Sequence, residues 1–130
     1  MANLQIIDVT VLPWTPHRVF PGVDAQTIVD AQTGVDLEVK SIRMAPGAEI
    51  TLHTHEGSAE TFYILSGEGL ICTEDQAHPC HSGTCVHARS GVVHGVKNTG
   101  QGELRLLAIF TPPTGTPSRQ SGVSQAKGNP

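Results

Sequence analysis

The sequence has few charged and few aromatic residues. Charged side chains make up 15% and aromatic side chains 4% of the 130 residues. The 8 Lys and Arg residues stand against 12 Asp and Glu residues, which gives a formal net charge of −4. Nucleic-acid-binding proteins usually carry a clustered basic face, which so few scattered basic residues do not supply. We therefore expect no nucleic-acid partner.

Long apolar runs and several familiar motifs are also missing. The longest purely apolar run covers residues 106–110, far fewer than the roughly 20 residues that span a membrane. The N-terminus has no basic region followed by an apolar one, so we expect no membrane association and no secretory signal. The absence of GxGxxG, P-loop and GxSxG patterns argues against a dinucleotide-binding fold, a nucleotide triphosphatase and a serine hydrolase.

Cysteine is scarce, and the cysteine spacing does not suggest disulfide pairs. Cys72, Cys80 and Cys85 are an odd number and include no CxxC pair. This usage suits a reducing compartment better than a disulfide framework. We therefore expect a cytoplasmic protein.

Turn-forming residues are abundant. The 14 glycines and 9 prolines are spread along the chain, and no segment keeps a helical period over three turns. Short β-type stretches recur with turns between them, including a hairpin of residues 26–31 and 35–44 and a first strand in residues 5–11. Residues 74–83 are polar and predict a loop. Many short strands predict an all-β sandwich or barrel, of which a double-sheet jelly roll is one form.

Histidine is the unusual residue, because six of the seven histidines lie between positions 53 and 94. His53 and His55 are two apart on a predicted strand, so both side chains face one way. Glu60 begins the next predicted strand, and Gly57 allows the chain to turn back between them. Two imidazoles and one carboxylate on one side of a cavity form a facial site with open positions. This site suits one divalent transition metal: Fe(II), Mn(II), Ni(II) or Zn(II).

These residues give the sequence its resemblance to the cupin superfamily. The first cupin motif, G-x5-H-x-H-x3,4-E-x6-G, is matched by Gly47, His53, His55, Glu60 and Gly67. The second, G-x5-P-x-G-x2-H-x3-N, is matched by Gly83, Gly91, His94 and Asn98, with Arg89 in place of the usual proline. The resemblance implies a double-stranded β-helix (jelly-roll) barrel holding one metal through His53, His55, Glu60 and His94. Prolines that interrupt the first segment and a tail rich in proline and glycine with little hydrophobic content further divide the chain into N-terminal strands wrapping the barrel (1–24), the cupin barrel (25–112) and an extended or disordered tail (113–130).

Strand alternation suggests which side chains line the pocket. Phe62 and Ile64 share the predicted face of Glu60, and Val96 shares that of His94. Core packing is the alternative for Phe62 and Ile64. Arg43 is a candidate for binding a substrate carboxylate, with a solvated edge position as its alternative.

A second cluster of metal-ligand residue types lies in the segment HPCHSGTCVH, residues 78–87. Its spacing matches no common zinc finger or ribbon. Its side chains are therefore expected to be exposed loop residues, or, for Cys85 and His87, to face the barrel or a partner subunit. His81 and His87 are the candidates for a catalytic general base.

The resemblance implies a metal-dependent enzyme acting on a small oxygenated organic substrate. An oxidoreductase of the dioxygenase type is predicted first. The alternatives are a non-redox lyase, isomerase or polyketide cyclase using Mn, Ni or Zn, and a non-catalytic small-molecule-binding protein. Small cupins usually pair, so a homodimer is also expected.

Overall fold

The computed structural model describes residues 4–33, 36–114 and 124–125. Two short 3-10 helices cover Val9–Val11 and Ala31–Thr33. The strands, in chain order, are β1 (Thr15–Pro16), β2 (Val23–Val29), β3 (Glu38–Met44), β4 (Glu49–Thr54), β5 (Ala59–Ser66), β6 (Glu68–Cys72), β7 (Ala77–His81), β8 (Cys85–Ala88), β9 (His94–Asn98), β10 (Leu104–Thr111) and β11 (Ser124–Gln125). No helix among these residues has the length and apolar character needed to cross a membrane.

The strands form two antiparallel sheets. The six-stranded sheet has the order β1-β2-β3-β10-β5-β8, and the five-stranded sheet has the order β11-β4-β9-β6-β7. Consecutive strands therefore often belong to opposite sheets, as in a double-stranded β-helix. The predicted all-β jelly-roll class is confirmed.

Strand alternation builds the core between the sheets. Along β10, the central strand of the larger sheet, every second residue from Leu104 to Phe110 is buried. Leu106 lies between Ile42 of β3 and Ile64 of β5, and all three face the interior. Burial of such aliphatic side chains contributes about 1.5 to 3 kcal/mol each. The core therefore fixes the register of the three strands that carry one wall of the barrel.

Two predicted segments differ from the structure. Residues 5–11 are not a strand, because Asp8 accepts a hydrogen bond from the Thr10 amide and caps a 3-10 turn instead. The predicted loop at residues 74–83 contains β7, which pairs with β6. Pro79 is compatible with a strand here because β7 is at the sheet edge, where a missing N–H is tolerated. Most of the predicted tail lies outside the described residues, and β11 within it pairs with β4.

Asn98 joins the two sheets at one end of β9. The side chain is 1% exposed, and its amide nitrogen donates to the carbonyls of Met44 and Gly102, each at 2.9 Å. Its oxygen accepts a hydrogen bond from the Gly100 amide at 2.9 Å. Met44 ends β3 of the other sheet, so Asn98 connects both sheets and the turn that precedes β10.

Candidate metal centre

Four buried side chains from both sheets converge between the layers. His53 lies in β4, His55 directly follows β4, and His94 begins β9 of the same sheet. Glu60 is the second residue of β5 in the opposite sheet. One ligand atom from each residue lies within 4.8 Å of the others, and all four residues are buried. The predicted set thus meets at one point, which is the one such group of three or more among the described residues.

A bulge in β4 directs His53 into the interior. Ile50 pairs with Val96 and His53 pairs with His94, so β4 has one more residue than β9 between these two pairs. Ordinary alternation would place Ile50 and His53 on opposite faces, but both are buried. The extra residue shifts the phase of the strand and allows a core residue and a ligand to face the same way.

His55 is held by the turn that precedes β9. Its carbonyl oxygen accepts hydrogen bonds from the Gly91 amide at 3.0 Å and the Ser90 hydroxyl at 3.3 Å. Gly57 then reverses the chain with a φ of 83°, a left-handed conformation that glycine adopts without strain. This turn brings Glu60 back beside the imidazoles.

The histidine tautomers leave the Nε2 atoms pointing at the centre. Nδ1 of His53 donates to the Thr51 carbonyl at 2.7 Å, and Nδ1 of His94 donates to the Val92 carbonyl at 2.9 Å. Such outer hydrogen bonds fix the ring orientation of metal-binding histidines. In a neutral His94 ring, Nε2 then faces Oε1 of Glu60 at 2.9 Å with a lone pair on each atom. A cation, either a proton or a metal, is needed between them.

The donor spacing fits a transition metal. The Nε2 atoms of His53 and His55 are 3.1 Å apart, and Oε1 of Glu60 is 3.0 Å from Nε2 of His55 and 2.9 Å from Nε2 of His94. Metal–ligand bonds of about 2.1 Å place neighbouring donors roughly 3 to 3.5 Å apart. The residues present therefore fit a divalent transition metal.

Burial and mutual contacts set the charge states of the group. Burial is the main cause that lowers the pKa of His53 from 6.5 to about 4, so this ring is neutral near pH 7. Burial alone would raise the pKa of Glu60, but hydrogen bonds from His55 and His94 outweigh it and lower that pKa from 4.5 to about 2. Burial would lower the pKa of His94, yet its hydrogen bond to Glu60 raises it overall. Glu60 is thus an ionised carboxylate, as a metal ligand must be.

The ligands lie in a small, largely apolar cavity with a volume of about 90 Å³. An enclosed apolar cavity of about 150 Å³ holds benzene, so this one accommodates a smaller molecule within its walls. Phe62 and Val96 line it, as predicted. The other lining residues are His17, Phe20, Val23, Ala25, Lys40, Ile42, Ile50, Leu106, Phe110 and Thr114.

Residues 40–110, more than half of the chain, match the family model described as "Cupin domain". The protein is a cupin. Its relatives include an oxalate-binding protein of Thermotoga maritima, 37% identical over 69 residues, which are 53% of this chain and 57% of that protein. The chain therefore spans little more than half the length of this curated relative.

Solved structures of similar fold extend over more of this cupin. The polyketide cyclase RemF from Streptomyces resistomycificus superposes with a TM-score of 0.80 over 95% of this chain and 85% of that one, at 16% identity. A predicted oxalate decarboxylase from Thermotoga maritima gives a TM-score of 0.73 over 83% and 99%, at 25% identity. The first likeness shows the fold alone.

Two predicted pocket residues of the cupin lie elsewhere. Ile64 is fully buried in the core and does not line the cavity. Arg43 points from the opposite face of β3, where its Nε is 2.9 Å from Asp24 and its guanidinium lies 4.3 Å above the ring of Trp14. The prediction that Arg43 lines the pocket is therefore wrong. Strand alternation directs Lys40 and Ile42 of β3 towards the cavity instead.

The predicted general bases do not reach the cavity. His81 and His87 are both exposed and absent from its lining. Nδ1 of His87 is 2.8 Å from the Thr61 hydroxyl on the outer face of β5. Within the same segment only Cys80 is buried, so the second cluster of residues 78–87 does not assemble as one site.

The sequence reasoning missed two polar residues of the cavity. His17 comes from the chain just after β1, and no local pattern marks it. Lys40 was detectable, because it is two residues before the buried Ile42 on an alternating strand.

Proposed function

We propose that this cupin is a metal-dependent enzyme that acts on a small oxygenated organic substrate. The observation that carries the proposal is the convergence of three Nε2 atoms and one carboxylate oxygen in an apolar cavity. The ligands would be His53, His55, Glu60 and His94. The bound metal would supply Lewis-acid chemistry or, as Fe(II), dioxygen chemistry.

The protein residues contribute orientation and exclusion of water. The rings of Phe110 and His55 meet edge to face with centroids 5.1 Å apart, and the ring centroid of Phe62 is 6.3 Å from that of His94. These aromatic contacts keep the ligand rings in place and cover them with apolar surface. In such a low-dielectric setting, the charge of a bound substrate interacts strongly with the site.

An oxidoreductase of the dioxygenase type is the first form of this proposal. Mixed imidazole and carboxylate donors with open positions are typical of Fe(II) oxygenases. The volume of the cavity favours a small substrate rather than a polycyclic one.

A non-redox lyase, isomerase or cyclase using Mn, Ni or Zn is the second form. Proton transfer needs a group other than the ligands, and His17 lines the cavity. Burial, followed by the charge of Lys40, lowers the pKa of His17, so its ring is neutral at pH 7 and its Nε2–H can donate a hydrogen bond to a substrate oxygen. A non-catalytic binding protein is the third form, and the similarity to an oxalate-binding protein supports it.

The experiment is elemental analysis of protein purified without a metal-affinity tag, followed by oxygen-uptake assays on a panel of small oxo and hydroxy acids. Protein loaded anaerobically with Fe(II) is compared with Mn(II), Ni(II) and Zn(II) forms, and His53→Ala is the control. Iron with substrate-dependent oxygen uptake supports a dioxygenase. Product formation without oxygen uptake supports the non-redox class. Ligand binding without turnover supports the non-catalytic binding protein. A protein that takes up none of these metals refutes the proposal.

A further inference from the structure

The cavity has a second polar region, separate from the four ligands. It consists of Lys40, His17 and Thr114, and apolar side chains make up most of the remaining lining. Lys40 reaches it from the inner face of β3, where it pairs with Ala108 of β10, and Ala108 pairs in turn with Phe62 of β5. Ala108 is fully buried and has a single methyl group, so it leaves space beside Lys40 on the β10 side, whereas Thr27 of β2 is the cross-strand neighbour on the other side.

The charges of the cavity favour an anion. Three neutral imidazoles and one carboxylate leave a divalent metal with a net charge of about +1, and Glu38 offsets part of the positive charge of Lys40 beside it. Lys40 has one ion pair among the described residues, in which its Nζ is 3.5 Å from Oε2 of Glu38. This distance exceeds that of a charge-assisted hydrogen bond, about 2.7 to 2.9 Å. The ammonium group therefore retains hydrogen-bond donors for a ligand.

Glu38 has a separate structural task. Its Oε1 accepts hydrogen bonds from the amide of Thr114 at 2.9 Å and from the Thr114 hydroxyl at 2.7 Å. The carboxylate thus holds the chain that follows β10 against β3, beside the cavity. Glu38 depends less on Lys40 than the carboxylate of an isolated ion pair would, because its Oε1 already accepts two hydrogen bonds from Thr114.

His17 adds a neutral donor near Lys40. Its Nδ1 accepts hydrogen bonds from the amides of Val19 and Phe20, at 3.0 and 3.3 Å. Nδ1 therefore carries no proton, and Nε2 is the protonated nitrogen of the neutral ring. A carboxylate is a good acceptor for an ammonium and an imidazole N–H together.

We propose that Lys40 is a specificity-determining residue, which selects a small substrate bearing a carboxylate while the metal binds another oxygen of the same molecule. His17 assists as a neutral hydrogen-bond donor. The inference rests on the proposed function and names its substrate class: short-chain carboxylic acids with a second oxygen, such as 2-oxo or 2-hydroxy acids. The cavity volume of about 90 Å³ suits an acid of a few heavy atoms.

The test compares an acid with its uncharged amide. Pyruvate and pyruvamide, and lactate and lactamide, are titrated by calorimetry into metal-loaded protein of known metal content. We expect wild type to bind each acid at least ten-fold more tightly than its amide. Lys40→Met should reduce this ratio to about two or less, whereas Lys40→Arg should retain most of it. Lys97→Met is the control, because Lys97 is exposed on β9.

Glu38→Gln gives an independent check. The glutamine keeps a carbonyl oxygen for Thr114 but removes the competing negative charge beside Lys40. We expect this variant to bind the acids several-fold more tightly than wild type and the amides equally. Thermal melting of each variant confirms that it is folded.

Three outcomes overturn the proposal. A Lys40→Met variant with full metal content and an unchanged acid-to-amide ratio shows that the metal alone selects the charge. Loaded wild type that binds neither acids nor amides refutes the substrate class, while leaving the metal site intact. If wild type takes up no metal, the proposed function fails. In that case the same titrations are made with metal-free protein. If the acid-to-amide affinity ratio is then equal in wild type and Lys40→Met, the proposed role of Lys40 in selecting acids is refuted.

Discussion

Gly95 controls the approach of the two strands that carry His53 and His94. A Cβ at this position would lie 2.7 Å from the Ile50 carbonyl oxygen and 3.2 Å from the Leu52 amide nitrogen. Both neighbours are backbone atoms, so no side-chain rotation can make room. Close C···O contacts between strands are normally about 3.3 Å or longer, so Gly95→Ala requires β4 and β9 to separate by about 0.5 Å.

This displacement is large for a metal site. Metal–ligand distances are held within about 0.2 Å of their preferred values. His53 pairs with His94 next to Gly95, so the separation of the strands acts directly on their Nε2 atoms. We expect Gly95→Ala to weaken metal binding by about 10- to 100-fold, equivalent to about 1.4 to 2.7 kcal/mol. Overpacking should also lower the free energy of unfolding by about 1 to 3 kcal/mol.

Competition with a chelator of known affinity measures the metal dissociation constant, and urea unfolding measures stability. Gly102→Ala is a matched control, because a Cβ there would meet nothing within 4 Å. If Gly95→Ala binds the metal within two-fold of Gly102→Ala, the reasoning that this backbone contact sets the ligand spacing is wrong. Lower stability with unchanged metal affinity would refute it as well.

His53→Ala, His55→Ala and His94→Ala should each lose most bound metal while far-UV circular dichroism stays unchanged; full metal content by elemental analysis in all three would contradict the site. Because the pKa of His53 is about 4 when folded against 6.5, the unfolded state binds a proton first, and the metal-free protein should lose about 3 kcal/mol of stability as pH falls from 6.5 towards 4. Urea unfolding of His53→Gln should show a weaker pH dependence over this range, and equal slopes would refute the assignment. Asn98→Ala should lower the free energy of unfolding by about 3 kcal/mol, because it leaves buried backbone groups without partners; a loss below 1 kcal/mol in urea would count against its role. A homodimer is expected by light scattering at micromolar concentration, and a monomeric mass would contradict it.

The ligand residues were predictable because their pattern is local. His53, His55 and Glu60 are separated by one strand end and one tight turn, so alternation and Gly57 are enough to bring them together. That His94 is the fourth ligand was predicted from the resemblance to the second cupin motif. The bulge in β4 was not predictable, because it is defined by the register of β4 against β9, and the sequence of one strand does not contain that pairing.

The remaining cavity residues show the limit of alternation. Arg43 and Lys40 have opposite parity on β3, and a one-residue error in phase exchanges an inward lysine for an outward arginine. The structure resolves the phase through Ile42 and Met44, which are buried on the face of Lys40. His17 comes from an irregular segment, whose path depends on long-range contacts such as the Gln26 amide donating to the carbonyls of Val9 and Leu12.

The strand β9 connects the two sheets at both of its ends. Asn98 makes this connection at one end through hydrogen bonds to Met44 and Gly102, and His94 makes it at the other end through Glu60. A bound metal would therefore act as a reversible cross-link at one end of a sandwich that Asn98 holds together at the other. Metal at 100 times its dissociation constant would add about 2.7 kcal/mol of stability. Without metal, local opening should begin at the mouth of the cavity, so amide hydrogen exchange should be faster around His94 than around Asn98.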